Sequence, residues 1–262
     1  MNIIITGSTR GIGQGMAIEF LKQGHNVLIN GRNEEKTSQI QHKMQNEYPD
    51  SKVLYFACDV SDFPSVEKMY LYGEKEFGIV DIWINNAGMD QNREKIYHHN
   101  VEKMHQIIDV NIKGMVNGTR MASEKMKDHG GFIYNMEGFG SDGMILNKMS
   151  LYGMTKRALT YFTKSSAREV KDTNVKICRL SPGMVLTELL TSDLPEDPDE
   201  RKQATRIFNI LADTVEDVTP YLVKEMLAKT KNGASIQWLT RGKIFGRFFM
   251  QMFRKRRLPG LE

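Results

Sequence analysis

Material for disulfides, membrane spans and metal clusters is scarce in this sequence. Only two cysteines, Cys58 and Cys178, occur in 262 residues, which excludes a disulfide framework. Each follows apolar, strand-like residues, so both read as buried free thiols of a reducing compartment. No apolar stretch reaches the ~20 residues needed to cross a bilayer. The opening run Ile3-Ile4-Ile5 passes at once into Thr6-Gly7, too short for a signal-peptide core, and the expected location is cytoplasmic. His98, His99 and His105 cluster without the Cys/His/acid spacing of a metal site; they read as surface histidines, and no metal is expected. Acids are missing from the last stretch, where Arg241, Lys243, Arg247, Arg254, Lys255, Arg256 and Arg257 precede Glu262. Without those cations the acids outnumber the bases, so the net charge of +4 describes a tail, not the body. No recognition motif accompanies the charge, which argues against nucleic-acid binding.

What is present is an ordinary globular composition, 40% hydrophobic and 26% charged, in a chain long enough to bury one sizeable core. Short apolar runs alternate with longer segments of helical period, the pattern of a doubly wound parallel sheet with helices on both faces. Strands are expected over Asn2–Ile5, Val27–Asn30, Val53–Ala57, Ile79–Ile84, Phe132–Met136 and Val175–Leu180, with a seventh over Ser235–Leu239. Pro64 fits the first turn of a helix, and Pro220 is expected to start another. After Pro182-Gly183 the alternation lapses. The stretch from about 187 to 217, acid-rich and containing Pro195 and Pro198, reads as a substrate lid with a helical patch over Arg201–Leu211. One domain over 1–240 and a tail over 241–262 is the expected organisation.

Thr6-Gly7-Ser8-Thr9-Arg10-Gly11-Ile12-Gly13 lies between the first strand and the first helix. Glycines there permit a tight turn and close backbone approach, and the helix start offers N–H groups to a pyrophosphate. The second strand ends Asn30-Gly31-Arg32, where many dinucleotide folds place an acid on the ribose 2′-hydroxyl. With no acid there, and Arg10 and Arg32 at hand for a 2′-phosphate, NADPH is expected over NADH. Further along, Tyr152 and Lys156 are one helical turn apart, so an ammonium sits near a phenol. Its charge is expected to lower the phenol pKa and make Tyr152 a usable proton donor and acceptor.

In this order and spacing, residues 2–188 resemble the short-chain dehydrogenase/reductase family. The resemblance makes Thr6–Gly13 the cofactor loop, Asp59-Val60 the adenine-lining pair, and Asn85-Asn86-Ala87-Gly88 the element after the fourth strand. It makes Asn111 the helix asparagine that holds a water beside Lys156, and Pro182-Gly183-Met184-Val185-Leu186-Thr187 the segment that holds the nicotinamide carboxamide. Gly138 stands where the family's catalytic serine is usual. The loop Glu137-Gly138-Phe139-Gly140-Ser141-Asp142-Gly143 is similar to that of a narrower group, the chlorophyll(ide) b reductases, which points to Ser141 as the hydroxyl that polarises a carbonyl, with Ser150 as the alternative. Glu137 reads either as a structural group or as one that tunes the site. The resemblance implies reduction of an aldehyde or ketone on a bulky apolar molecule, and a homodimer or homotetramer. The displaced serine leaves a second class open, a non-catalytic NADP(H)-binding regulator.

In the tail, Ile244, Phe245, Phe248, Phe249, Met252 and Phe253 recur at helical spacing among basic residues. That is the pattern of a helix that either lies on an anionic membrane or packs its apolar stripe on the domain, with the cations as its solvated face.

Overall fold

The computed structural model describes the whole chain except residues 192–196, 229–230, 252, 254–255 and 259–262, so Pro195, Met252, Arg254 and Lys255 lie outside the described residues. The apolar runs become strands because β-branched residues fit a surface buried on both faces. The elements in chain order are β1 (Asn2–Ile5), α1 (Gly11–Lys22), β2 (Asn26–Gly31), α2 (Glu34–Glu47), β3 (Val53–Ala57), α3 (Phe63–Phe77) and β4 (Ile82–Asn85). There follow α4 (Val101–Ile108), a π-helical segment (Asp109–Lys113), α5 (Gly114–Met126), β5 (Gly131–Met136), α6 (Ser150–Glu169) and β6 (Val175–Ser181). The chain continues with β7 (Met184–Val185), α7 (Glu188–Thr191), α8 (Pro198–Leu211), β8 (Ala212–Asp213), α9 (Val215–Leu227), β9 (Ser235–Gln237) and α10 (Arg241–Met250).

Seven strands form one parallel sheet in the order β3-β2-β1-β4-β5-β6-β9. The order reverses between β1 and β4, and the crevice past the carboxyl ends of such strands is where open α/β sheets take their ligands. Period-two alternation divides the core. Ile3, Ile5, Val27, Ile29, Ile82, Ile84 and Tyr134 face α1 and α9, against Met16, Phe20, Val218 and Leu222. Ile4, Leu28, Trp83, Ile133 and Ile177 face α3 and α5, against Val66, Met69, Met121 and Met126. Truncating one of the large central residues, such as Trp83, removes ~3–5 kcal/mol.

Two expected boundaries are corrected. β4 starts at Ile82, because Gly78 closes α3 at φ 85° and Ile79 lies in the exposed turn that follows. Pro220 sits inside α9, which starts five residues earlier with a Thr214/Asp217 capping box. Among its described residues the expected lid stretch holds α7, α8 and the start of α9, and its strand β8 pairs with β7 in parallel, Met184 with Ala212 and Val185 with Asp213. That pairing ties the lid to the Pro182–Thr187 segment.

The tail packs in the opposite sense to the second of the two alternatives, in which the apolar stripe lies on the domain and the cations face solvent. The buried Asp213 carboxylate receives Arg247 Nη2 at 2.7 Å, Arg256 Nη2 at 2.6 Å and the Trp238 indole N–H at 2.6 Å. Burial alone would raise the Asp213 carboxyl, but these donors hold it below the ordinary carboxylate value. Lys243 covers the Trp238 ring, and Leu258 folds back against Phe208 and Ala212. Phe245, Phe248, Phe249 and Phe253 are left exposed. Two of the cations face inward and the aromatic stripe faces out.

Candidate active site

A cleft of about 1590 Å³ runs along the carboxyl ends of the sheet. Its walls bring together Gly7, Thr9, Arg10, Gly11, Ile12, Gly13, Arg32, Asp59, Val60, Asn86, Ala87, Gly88, Ser141, Tyr152, Lys156, Pro182, Gly183, Val185 and Thr187. Ser8, Asn111 and Ser150 are not among the lining residues. Ser8 is fully buried behind the glycine turn, where its hydroxyl donates to Ile5 O at 2.7 Å and accepts from Asn30 N at 2.9 Å. It braces the loop from inside.

The glycine turn and the Asn86 segment are built as one unit. Thr6 Oγ1 accepts from the N–H groups of Asn86 and Ala87, and Asn86 Nδ2 donates to the Thr6 and Gly7 carbonyls. Gly7 has φ 62°, and a Cβ there would lie 2.7 Å from Ala87 Cα, so only glycine fits this turn. Asn30, at the end of β2, accepts from Gly7 N and donates to Phe56 O. Asn30 is therefore a brace between the glycine turn and β3. Arg32 and Lys36 line this end of the cleft, whereas Arg10 pairs with Glu188 at the start of α7. Cys58 also lines it, half-buried rather than fully buried, with its thiol pushed up to about 12 by burial; Cys178 is buried and pushed up to about 11.

α6 carries Tyr152 and Lys156 on the face turned to the cleft, both buried. Lys156 Nζ lies 5.6 Å from the centre of the Tyr152 ring and donates to Met136 O at 3.3 Å. The expectation that the ammonium lowers the phenol pKa is corrected: burial, with the field of Asp90 added, pushes the Tyr152 phenol above its ordinary value. Burial also lowers Lys156 to about 8, opposed by Asp90 and Glu137. Desolvation outweighs the pairwise attraction here. The phenol keeps its proton at neutral pH, the form an acid needs.

The loop after β5 sits directly on this pair. A Cβ at Gly138 would lie 2.7 Å from Tyr152 Oη and 3.1 Å from Lys156 Cε. Gly140, at φ 89°, passes so close to Gly153 that a Cβ would be 2.6 Å from its Cα. Ser141 Oγ accepts from Gly138 N at 3.1 Å and has only a 3.4 Å contact for its proton, to Lys156 O. Arg157 holds the same turn through Ser141 O. Glu137 accepts from Thr160 Oγ1 at 3.1 Å and pairs with Arg179 at 3.2 Å, and from the cleft wall its charge also acts on Lys156.

Asn111 lies buried in the π-helical segment, a local unwinding often found at functional sites. Its Oδ1 accepts from Met89 N, and its Nδ2 donates to Met89 O and to Thr155 Oγ1. It ties the Gly88 loop to α6. His99 is not the surface histidine expected, since its side chain is 3% exposed and pairs with Glu94 at 3.1 Å. No group of His, Cys, Asp and Glu with metal-holding geometry occurs among the described residues. Motif reading misses Asp90 and Lys36, which line the cleft, and Gln91, which lies behind it and bonds Tyr152 N. Asp90 and Gln91 directly follow Asn86-Ala87-Gly88-Met89, and that adjacency is the one signal that could have drawn attention to them.

The chain matches the family model for short chain dehydrogenases over residues 1–198. It is 36% identical over 260 residues to a probable chloroplastic chlorophyll(ide) b reductase of Arabidopsis thaliana, covering 93% of this chain and 51% of that protein. A second chlorophyll(ide) b reductase of the same plant is 35% identical over 261 residues, covering 96% of this chain and 73% of the other. The chain thus spans about half the length of the first relative and about three quarters of the second. An NADPH-dependent pterin aldehyde reductase of Arabidopsis thaliana is 32% identical over 220 residues, covering 80% of this chain and 88% of that protein. Among solved structures, levodione reductase superposes with a TM-score of 0.82 at 20% identity, covering 92% of this chain and 97% of the other; this likeness concerns the fold.

Proposed function

Given that the chain belongs to the short-chain dehydrogenase family, and so is an NAD(P)H-dependent oxidoreductase, we propose that it uses NADPH to reduce an aldehyde or ketone on a bulky apolar molecule, with Tyr152 as the acid. The observation that carries this reading is the buried Tyr152–Lys156 pair, with its protonated phenol pressed against Gly138 on the wall of the cleft that the glycine turn opens into. A bound nicotinamide cofactor supplies the hydride, and the protein supplies position and electrostatics. Gly7 and Thr9 through Gly13 would hold the pyrophosphate, Asp59 and Val60 would line the adenine, and Pro182 through Thr187 would hold the carboxamide.

Tyr152 gives its proton to the nascent alkoxide. Lys156 would hold the nicotinamide ribose, and its ammonium stands beside the phenol as the proton leaves. Ser141 polarises the carbonyl oxygen: its own oxygen is fixed by Gly138 N–H, while its proton, weakly held at 3.4 Å, is available to turn into the cleft. Asn111 keeps the Gly88 loop in register behind Lys156. The preference for NADPH rests on Arg32 and Lys36 beside a strand end that lacks a carboxylate. Arg10 contributes less than its position in the loop suggested, because Glu188 occupies it.

The relatives that reduce chlorophyll(ide) b, and the pterin aldehyde reductase, support a carbonyl substrate. The same reading includes a homodimer or homotetramer, a cytoplasmic setting, and a peripheral contact between the exposed aromatic side of α10 and an anionic membrane. No helix among the described residues is long and apolar enough to cross one. The test is a panel of aromatic and polycyclic aldehydes and ketones with NADPH and NADH, followed at the absorbance of the reduced nicotinamide. Turnover by wild type, lowered ~10²–10⁴-fold in Tyr152→Phe, is expected. Turnover retained by Tyr152→Phe would sink the assignment of the acid.

A further inference from the structure

Gln91 takes part in none of the motifs that describe the cleft, yet it is 1% exposed. Its side-chain amide is used at both ends. Oε1 accepts the Tyr152 N–H at 2.6 Å, while Nε2 donates to Lys148 O at 2.7 Å and reaches His99 Nε2 at 3.3 Å. The orientation of the amide is fixed by these partners, because a backbone N–H only donates and a carbonyl only accepts. His99, itself buried and paired with Glu94, backs the amide.

The need for such a group is visible in the helix it touches. α6 starts at Ser150, and Met149 at its N-cap makes no side-chain capping bond. The first N–H groups of an α-helix have no partner inside the helix, and Tyr152 carries one of them. Gln91 supplies the acceptor that a Ser or Asp cap ordinarily provides. Just before the helix, Lys148 has φ 63°, a left-handed conformation that non-glycine residues rarely take. Gln91 holds the carbonyl of that strained residue, while its Nζ pairs with Glu200 of α8 at 3.0 Å. One buried amide pins both the last residue of the loop turn and the residue that bears the phenol.

We infer that Gln91 is a positioning residue of the reaction, the cap of the catalytic helix supplied from the Gly88 loop, which sets where the Tyr152 phenol stands in the cleft. The inference rests on Tyr152 as the proton donor. It predicts a loss in turnover without a loss in cofactor affinity, because small misplacements of a reacting group are costly.

Two variants and two measurements test it. Gln91→Leu removes both bonds; Gln91→Glu keeps the acceptor for Tyr152 N–H. Hydrogen exchange of the Tyr152 amide, read by NMR on the full chain, is expected to quicken about tenfold in Gln91→Leu, the size of one hydrogen bond, and to stay near wild type in Gln91→Glu. With NADPH and 4-nitrobenzaldehyde as probe, kcat is expected to fall ~10–100-fold in Gln91→Leu, to recover largely in Gln91→Glu, and to leave the KM for NADPH unmoved. Unchanged exchange in Gln91→Leu, or equal kcat losses in the two variants, overturns the inference. Should Gln91→Leu not fold, Gln91→Asn, too short to reach Tyr152, takes its place. If wild type reduces no carbonyl at all, the proposed function falls; the exchange at Tyr152 then decides the cap alone, lost protection upholding it and retained protection refuting it.

Discussion

Burial brings the Lys156 ammonium down to about 8 from an ordinary value of 10.5. A lysine whose folded pKa lies below its unfolded one burdens the fold while protonated. Below about 8 both states hold the proton and the folded state bears the full desolvation cost. Between about 8 and 10.5 the unfolded chain holds more protons, so this group makes stability rise with pH. Lys156→Met, which keeps the stem and drops the charge, should therefore melt higher than wild type at pH 7 while losing turnover. Its advantage should shrink as the pH of the melt approaches 10.5. Thermal melts across that range check it, and an advantage that grows with pH would contradict the account. Gly138 raises a different question, since a serine there would match the common family pattern. With a Cβ 2.7 Å from Tyr152 Oη, Gly138→Ser must displace the phenol or the loop. We expect it to lower kcat by ~10-fold or more, and a gain in kcat would show that the displaced serine is merely a defect.

At the scale of elements, the Asp213 cluster binds pieces that the sequence keeps apart: β8 after α8, Trp238 after β9, and the arginines of the tail. Asp213→Asn leaves two partly buried guanidinium groups without their carboxylate. Breaking a buried pair in this way costs ~3–5 kcal/mol, and the lower end applies because both arginines keep some solvent. Urea denaturation should report the loss, and a variant as stable as wild type would show the cluster to be decorative. Strands and most helices are legible because short continuous apolar runs alternate with longer segments whose apolar residues recur every three to four positions. The start of α9 is less legible, because Pro220 suggests a first helical turn whereas the Thr214/Asp217 capping box marks the true start five residues earlier. The β7–β8 pair was illegible for a simpler reason: two residues carry no period. The inward turn of Arg247 and Arg256 was equally hidden, since a helical stripe says which residues share a face and not which face meets the protein.

Across the whole molecule, the fold and the cleft follow from one arrangement, a parallel sheet whose strand order reverses beside β1. Gly7–Gly13, Asp59-Val60, Asn86–Gly88 and Pro182-Gly183 lie just past strand ends, a position that order along the chain reveals, whereas Tyr152 and Lys156 are legible by their spacing of one helical turn. Gln91 and Tyr152 are 61 residues apart, and nothing in either segment announces the other. Ser8 shows the converse, a residue inside a phosphate-loop motif that the fold turns inward to serve the scaffold. Pattern reading locates the cleft; only closure of the chain shows which side chains brace it.

The chain has two tryptophans, and the fold has put them in unlike places. Trp83 is sealed in the sheet with its N–H on Asn85, whereas Trp238 lies under Lys243 with its N–H on Asp213. Their fluorescence is therefore a paired gauge. The emission of Trp238, beside a carboxylate and a cation, shifts when the tail detaches, while that of Trp83 holds until the sheet itself opens. The order in which the two emissions move separates release of the tail from loss of the fold, with no label added to the protein.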